Sequence, residues 1–330
     1  MEGSHKYTIS ISSINVGAYM IGEMDVSWKN VYCKRVQICE KIIKKCLENK
    51  VDIICTQEDL LLSDSTNTRC EVEFLELYTT YGYIPLSQCI LHDNTSQTLQ
   101  GLYPNREVKM GNVIYVYKPL VYHVIPIPQI VPTTVCAAYC MIYGSTKLVN
   151  VHLCGGRYDD QTVFQDETTY MEKLGQVRKI QPSTIICGDL NSTRYYGKPG
   201  GLRNWEYPTF LAKSAIFQTI HSPPKNSNKK DNHYSLTIDE KMKWETWQCA
   251  PVESLFSHPT LHYTCCFDND ELKKIGETSY RGKCIVDWIF YNSRNVQCIE
   301  SKVIKLYGNT LTALSDHHMI FANFLIHHSN

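Results

Sequence analysis

The spacing of hydrophobic and polar positions changes repeatedly along this chain. Residues 8–15, TISISSIN, alternate apolar and polar side chains, the period of a strand with one buried face. Across residues 30–50, NVYCKRVQICEKIIKKCLENK, the apolar Val36, Cys39, Ile42, Ile43, Cys46 and Leu47 recur at helical spacing, with charges on the other face. VDIIC (51–55) follows as a short buried strand. NVIYVY (112–117), VCAAYCMIY (135–143) and KLVNVHL (147–153) read as further strands, the last two joined by a Gly-Ser-Thr turn into a hairpin. VFQDETTYMEKLGQVRKI (163–180) has the helical period, and the apolar run in STIIC (183–187) is a strand. CIVDWIFYN (284–292) and HHMIFANFLI (317–326) supply the late strands. The most apolar loop-like piece, VIPIPQIVP (124–132), is broken by three prolines. Strands and helices are mixed throughout, without an internal repeat or a clean linker, which predicts an α/β chain.

Composition narrows the partners more than the fold. At 330 residues, with 43% hydrophobic and 20% charged, the chain has the makings of a sizeable core. Its 33 basic and 33 acidic residues cancel, which removes any whole-protein electrostatic pull toward nucleic acid or an acidic membrane. No basic start followed by an apolar stretch marks a signal peptide, and no run approaches the roughly 18 apolar residues of a membrane span. An intracellular protein, cytoplasmic or nuclear, without stable membrane insertion is expected. Fifteen cysteines is a high and odd count, scattered through apolar strands where cysteine behaves as a small hydrophobe, so reduced thiols are expected. No Cys-x-x-Cys pair suggests structural zinc.

The chemistry lies in how the strands end. Asn15 closes the first strand, Gln57 and Glu58 follow VDIIC, His152 sits near the end of KLVNVHL, and Gly188-Asp189-Leu190-Asn191 follows TIIC. Asp287 lies within CIVDWIF, and Ser315-Asp316-His317 lead into the last strand. Taken singly these are weak: Gly-Asp-x-Asn is ordinary turn chemistry, and a histidine after apolar residues is commonly a core residue. Asp287 is harder to dismiss, because a buried carboxylate needs a partner, and a histidine is a natural one.

Taken together, Asn15, Gln57-Glu58, His152, GDLN at 188–191, Asp287 and SDH at 315–317 resemble the endonuclease/exonuclease/phosphatase superfamily. That group includes DNase I-like nucleases, abasic-site endonucleases, inositol polyphosphate 5-phosphatases, neutral sphingomyelinases, deadenylases and tyrosyl-DNA phosphodiesterases. The resemblance implies a single α/β domain over residues 1–330, a four-layer sandwich of two mixed sheets flanked by helices, acting as a monomer. It also implies hydrolysis of phosphate esters with Mg²⁺, Mn²⁺ being a substitute. Glu58 would be the principal metal ligand, with Asn15 and Asp316 in support. Asp189 would activate water, Asn191 would donate to a phosphate oxygen, and His317, oriented by Asp287, would contact the phosphate. His152 would be a second phosphate donor or a general acid.

Two arginines, Arg157 behind Gly155-Gly156 and Arg194 after Asn191, could grip phosphate or simply pair with surface acids. About 95 residues separate Asn191 from Asp287, so a substrate-shaping insertion is expected within 200–283. HSPPKNSNKKDNHYS (221–235) reads as an exposed loop within it. Trp244 and Trp247, three apart, would either pack that insertion onto the core or stack an unpaired base. Around Asp287 the chain has Ile-Val-Asp-Trp rather than the Trp-Cys-Asp-Arg of inositol 5-phosphatases. Nucleic acid or a nucleic-acid adduct is therefore the expected substrate, ahead of a smaller phosphomonoester or a lipid. An inactive binding module is the weakest reading, since every expected position is filled.

Overall fold

The computed structural model describes residues 5–17, 28–63, 70–90, 103, 105–127, 136–153, 174–180, 183–192, 251–255, 260–267, 285–292, 294–306, 315 and 317–328. In chain order these form β1 (His5–Asn15), α1 (Trp28–Glu48), β2 (Ile53–Ser63), β3 (Glu71–Val72), α2 (Leu75–Thr80), β4 (Tyr83–Ile90) and β5 (Glu107–Tyr117). A 3₁₀ turn (Lys118–His123) leads to β6 (Val124–Ile127), β7 (Cys136–Ile142), β8 (Thr146–His152) and β9 (Ile185–Asp189). The last strands are β10 (Tyr263–Cys265), β11 (Asp287–Asn292), β12 (Val296–Ile304) and β13 (Met319–His328).

These strands make two mixed sheets. One runs β12-β13-β1-β2-β5-β4, with β3 added beside β2, and the other runs β10-β11-β9-β8-β7-β6. Their inner faces share a buried cluster in which Ile9, Ile11, Ile53, Cys55 and Ile114 meet Leu148, Cys140, Cys187 and Phe290. Helical segments 174–180 and 251–255 add Val177, Ile180, Val252 and Leu255 to that cluster. On the outer face of the first sheet, Ile38, Cys39, Ile42, Ile43 and Cys46 of α1 pack against Ile54, Tyr78 and Tyr115. Small side chains let the helix sit close, and Ser12 Oγ lies 3.9 Å from Cys46 Sγ. Each such aliphatic burial contributes roughly 1.5–3 kcal/mol. The cysteines among the described residues are free thiols. Burial pushes the Cys46 thiol up to about 12, which makes it an inert hydrophobe. Among the described residues no helix is long and apolar enough to cross a membrane.

Several boundaries differ from expectation. The strand expected to end at Cys55 continues to Ser63, carrying Gln57 and Glu58 inside it rather than after it. The proline-broken piece contributes β6, which tolerates Pro126 because it is the outermost strand of its sheet. β4, β10 and β12 lack a clean apolar alternation and were not expected; most of β12 is partly exposed. Of the helix expected over 163–180, residues 174–180 are helical and the rest lie outside the described residues. Most of 200–283 also lies outside them, including the 221–235 loop, Trp244 and Trp247.

Candidate active site

One rim of the sandwich collects the polar strand ends, for reasons of strand direction. β1 and β2 pair parallel, with Asn15 beside Gln57, and β8 and β9 pair parallel, with His152 beside Asp189. Their carboxyl ends therefore point the same way within each sheet. β11 and β13 run antiparallel to β9 and β1, so their beginnings lie at that same rim: Asp287 pairs with Asp189, and Ser13 with Ile320. Asn15 and Asp189, 174 residues apart, join the two sheets through a 3.0 Å hydrogen bond.

Asp189 is the hub. Gly188 before it has φ 140° and runs so close to β8 that an added Cβ would lie 1.8 Å from the Val151 carbonyl oxygen. Only glycine fits there. The Asp189 carboxylate is buried. Its Oδ1 accepts from the Asn191 backbone N–H at 2.8 Å, and its Oδ2 accepts from Asn15 Nδ2 at 3.0 Å. His152 Nε2 and His317 Nε2 lie 3.8 Å and 3.9 Å from the same Oδ2. Those gaps are too long for direct hydrogen bonds.

Asp189 and Asp287 are side by side on neighbouring strands, where two like charges repel. The repulsion is offset because His317 Nδ1 lies 2.9 Å from Asp287 Oδ2. That contact assigns the Nδ1 proton to the Asp287 side and turns Nε2 toward the cleft. The Ser315 hydroxyl fixes the approach: it donates to the Asn15 carbonyl at 2.7 Å and accepts from the His317 N–H at 3.0 Å. The next histidine faces away from this work. His318 Nδ1 accepts from the Leu306 N–H at 3.2 Å, and burial, with Lys305 and His317 nearby, pulls its pKa down to about 4.

Glu58 comes from the other sheet. Its Oε1 accepts from Asn15 Nδ2 at 3.1 Å and lies 3.8 Å from His152 Nε2. The side chain is 30% exposed, the most open carboxylate of the group. The Asn15 side-chain oxygen accepts from the Gly17 N–H at 2.8 Å, so Asn15 meets the two carboxylates as a donor that bridges them rather than as an oxygen ligand. Asn191 has φ 43°, and its Nδ2 donates to the Leu153 carbonyl at 2.9 Å, which ties the turn to the end of β8. Asp316, Arg157 and Arg194 lie outside the described residues.

Hard oxygen donors beside imidazoles suit a divalent cation. Among the described residues of the site, Glu58 offers the one open carboxylate, of the kind Mg²⁺ takes while keeping several waters. Asp189, Asp287 and His317 form a second, buried group whose ligand atoms all lie within 4.8 Å of one another.

Two features of the site have faint sequence signals. Trp288 is fully buried, and its indole N–H donates to the Ser192 carbonyl at 2.8 Å, pinning the chain just beyond Asn191. Asn150, in the middle of an apolar strand, donates through Nδ2 to the Thr56 and Val113 carbonyls at 2.8 Å and 3.0 Å. Gln57 Nε2 donates to Asn150 Oδ1 at 2.6 Å, completing a polar seam between the sheets. An amide inside an otherwise apolar strand was the available clue.

No protein-family model matches the chain, and no curated protein matches it in sequence. Solved structures do match in shape. The human Nocturnin catalytic domain with bound sulfate anion aligns over 97% of this chain and 97% of its own, with a TM-score of 0.52 and 14% identity. An endonuclease/exonuclease/phosphatase from Bacteroides vulgatus aligns over 97% and 99%, with a TM-score of 0.49 and 11% identity. A protein of that same family from Leptotrichia buccalis aligns over 95% and 98%, with a TM-score of 0.47 and 14% identity.

Proposed function

We propose that this chain, which has the DNase I-like fold of the endonuclease/exonuclease/phosphatase superfamily, hydrolyses phosphate esters with the aid of a divalent metal ion. The observation that carries the reading is the convergence on Asp189 Oδ2: Asn15 Nδ2 at 3.0 Å and two imidazole Nε2 atoms at 3.8 Å and 3.9 Å, from both sheets. A carboxylate ringed by donors suits the handling of water beside a negatively charged phosphoryl group. The bound sulfate of the Nocturnin catalytic domain, a tetrahedral oxyanion like phosphate, agrees with this reading.

Glu58 would hold Mg²⁺ or Mn²⁺, with Asp316 in support and with Asn15 steadying the Glu58 carboxylate through its amide N–H. When bound, the ion neutralises charge on the phosphoryl oxygens. Asp189 takes the proton of the attacking water, held in place by Asn15 and by the Asn191 main chain. His317 points Nε2 at a phosphoryl oxygen, and Asp287 stabilises its imidazolium. His152 donates to a phosphoryl or leaving oxygen. Asn191 acts through the turn that its side chain closes, and Arg157 and Arg194 are phosphate contacts in this scheme.

The substrate class we propose is nucleic acid or a nucleic-acid adduct, supported by the resemblance of the motifs and by the absence of the inositol 5-phosphatase signature around Asp287. The test is a turnover assay of the purified full chain with Mg²⁺ and then with chelator. Its substrates are single-stranded DNA, RNA, bis-p-nitrophenyl phosphate and inositol phosphates. Chelator-sensitive cleavage of oligonucleotides supports the full proposal. Cleavage of inositol phosphates alone rejects the substrate class and keeps the reaction, and no metal-dependent turnover on any of them rejects both.

A further inference from the structure

The residue after Glu58 is held by contacts that the proposed chemistry does not use. β2 and β5 lose register there: Thr56 faces Val113 and Asp59 faces Gly111, so Gln57 and Glu58 together oppose the single residue Asn112. Such a bulge re-aims a side chain at the expense of ladder hydrogen bonds. Glu58 also has φ 55°, a left-handed conformation that costs a residue of this kind roughly 1–3 kcal/mol and persists only when its surroundings impose it.

The Asp59 carboxylate supplies those surroundings. Its Oδ2 accepts from Thr56 Oγ1 at 2.8 Å and from the Tyr115 hydroxyl at 2.6 Å, and its Oδ1 accepts from the Leu60 N–H at 3.0 Å. Thr56 precedes the bulge, Leu60 follows it, and Tyr115 belongs to the partner strand β5. One carboxylate thus ties β2 on both sides of the bulge to the partner strand β5. Asp59 is fully buried, and so is Tyr115, whose ring stacks on Tyr78 at 3.8 Å. Burying a carboxylate is expensive unless it is hydrogen-bonded, and this one accepts three hydrogen bonds. On the inner face of the sheet, Gln57 Nε2 reaches Asn150 Oδ1 at 2.6 Å. The bulge is therefore gripped from both faces, and Glu58, between the grips, is the residue that meets Asn15 and the cleft.

Resting on the phosphoesterase reading, we propose that Asp59, through Thr56 and Tyr115, is a positioning residue that locks the bulge and so aims the Glu58 carboxylate at the metal. It touches no reacting atom. Removing one of its partners leaves Glu58 in the chain but lets the bulge relax toward an ordinary strand, so the first loss is in metal affinity. Groups that orient a metal ligand typically contribute 10–100-fold to affinity or activity.

The test uses the full chain with Mn²⁺ as the probe, titrated by the electron paramagnetic resonance of the free ion, with no substrate present. Tyr115→Phe and Thr56→Val each delete one hydroxyl, and Asp59→Asn deletes the charge. The expected result is a Mn²⁺ dissociation constant raised on the order of 10-fold or more in the two hydroxyl variants, with cooperative melting retained. The Mn²⁺ concentration for half-maximal turnover should rise in proportion, and turnover should recover at saturating Mn²⁺. Wild-type Mn²⁺ affinity in both hydroxyl variants, with or without a lowered melting temperature, would make Asp59 a purely structural anchor and overturn the inference alone. A wild-type chain that binds no Mn²⁺ overturns the inference together with the function on which it rests. Because Tyr115→Phe and Thr56→Val are conservative, the outcome does not depend on whether Asp59→Asn folds.

Discussion

Replacing Gly188 with alanine should cripple the site without touching any polar group in it. The added Cβ would sit 1.8 Å from Val151 O, 2.8 Å from Val151 C and 2.9 Å from Val151 N. All three are backbone atoms of the neighbouring strand, so no rotamer change relieves the clash. Opening the shortest contact to 3.0 Å requires β8 and β9 to separate by 1.2 Å at this point. The ladder there includes the 3.0 Å hydrogen bond from Leu153 N to Asp189 O, which the shift would stretch or break. Overpacking of this kind costs about 1–3 kcal/mol, and the φ of 140° adds about 1–2 kcal/mol for a residue with a Cβ. The sum, about 2–5 kcal/mol, lowers the melting temperature by on the order of 10 °C, at 2–4 °C per kcal/mol for domains somewhat smaller than this one. The displacement falls on the residue before Asp189, and a misplacement of about 1 Å commonly costs about 10²-fold in rate. Thermal melts and turnover of bis-p-nitrophenyl phosphate, measured below the variant's melting range, separate the two effects. A Gly188→Ala protein with wild-type melting temperature and turnover within a few-fold would refute the reasoning.

Other outcomes follow from the same geometry. Turnover should vanish on chelation and fall nearly to background in Glu58→Gln; undiminished rates for that variant in excess EDTA would remove Glu58 from the metal site. Asp287→Asn and His317→Ala should each cost on the order of 10² to 10⁴ in rate, and the double variant little more than the worse single one, because the 2.9 Å pair acts as a unit. A multiplicative double loss would show two independent groups. Stability should fall on acidification through His318, whose folded pKa of about 4 lies below its ordinary 6.5. Above pH 6.5 both states are neutral, and between 6.5 and 4 the unfolded chain takes up a proton that the folded one refuses. The displacement amounts to about 3 kcal/mol when complete. A His318→Gln variant should flatten that part of the melting-temperature profile, and an unchanged slope between pH 7 and 4 would contradict the assignment.

Period and punctuation in the sequence alone determined much of this protein. The alternation in 8–15, the helical spacing in 30–50 and the hairpin at 135–153 are local patterns, and the strands and helix appear where those patterns lie. The residues that close the strands were also legible, because Asp, Asn and His after apolar runs are costly to bury and so stand out. That Asp287 needs a histidine follows from charge burial, but that the histidine is His317, thirty residues away, depends on β11 and β13 both beginning at the same rim. Asn191 was expected to reach for phosphate, yet tertiary contact gives its Nδ2 to the Leu153 carbonyl. The strand expected to stop at Cys55 runs on to Ser63, because its polar residues are satisfied from outside: Gln57 by the opposite sheet, Asp59 by Tyr115 of β5. A local pattern records which side of an element is apolar. It does not record which partner, brought from far along the chain, will hydrogen-bond a buried polar group, and that partner decides whether the chain turns at Glu58 or bulges there and carries it into the cleft.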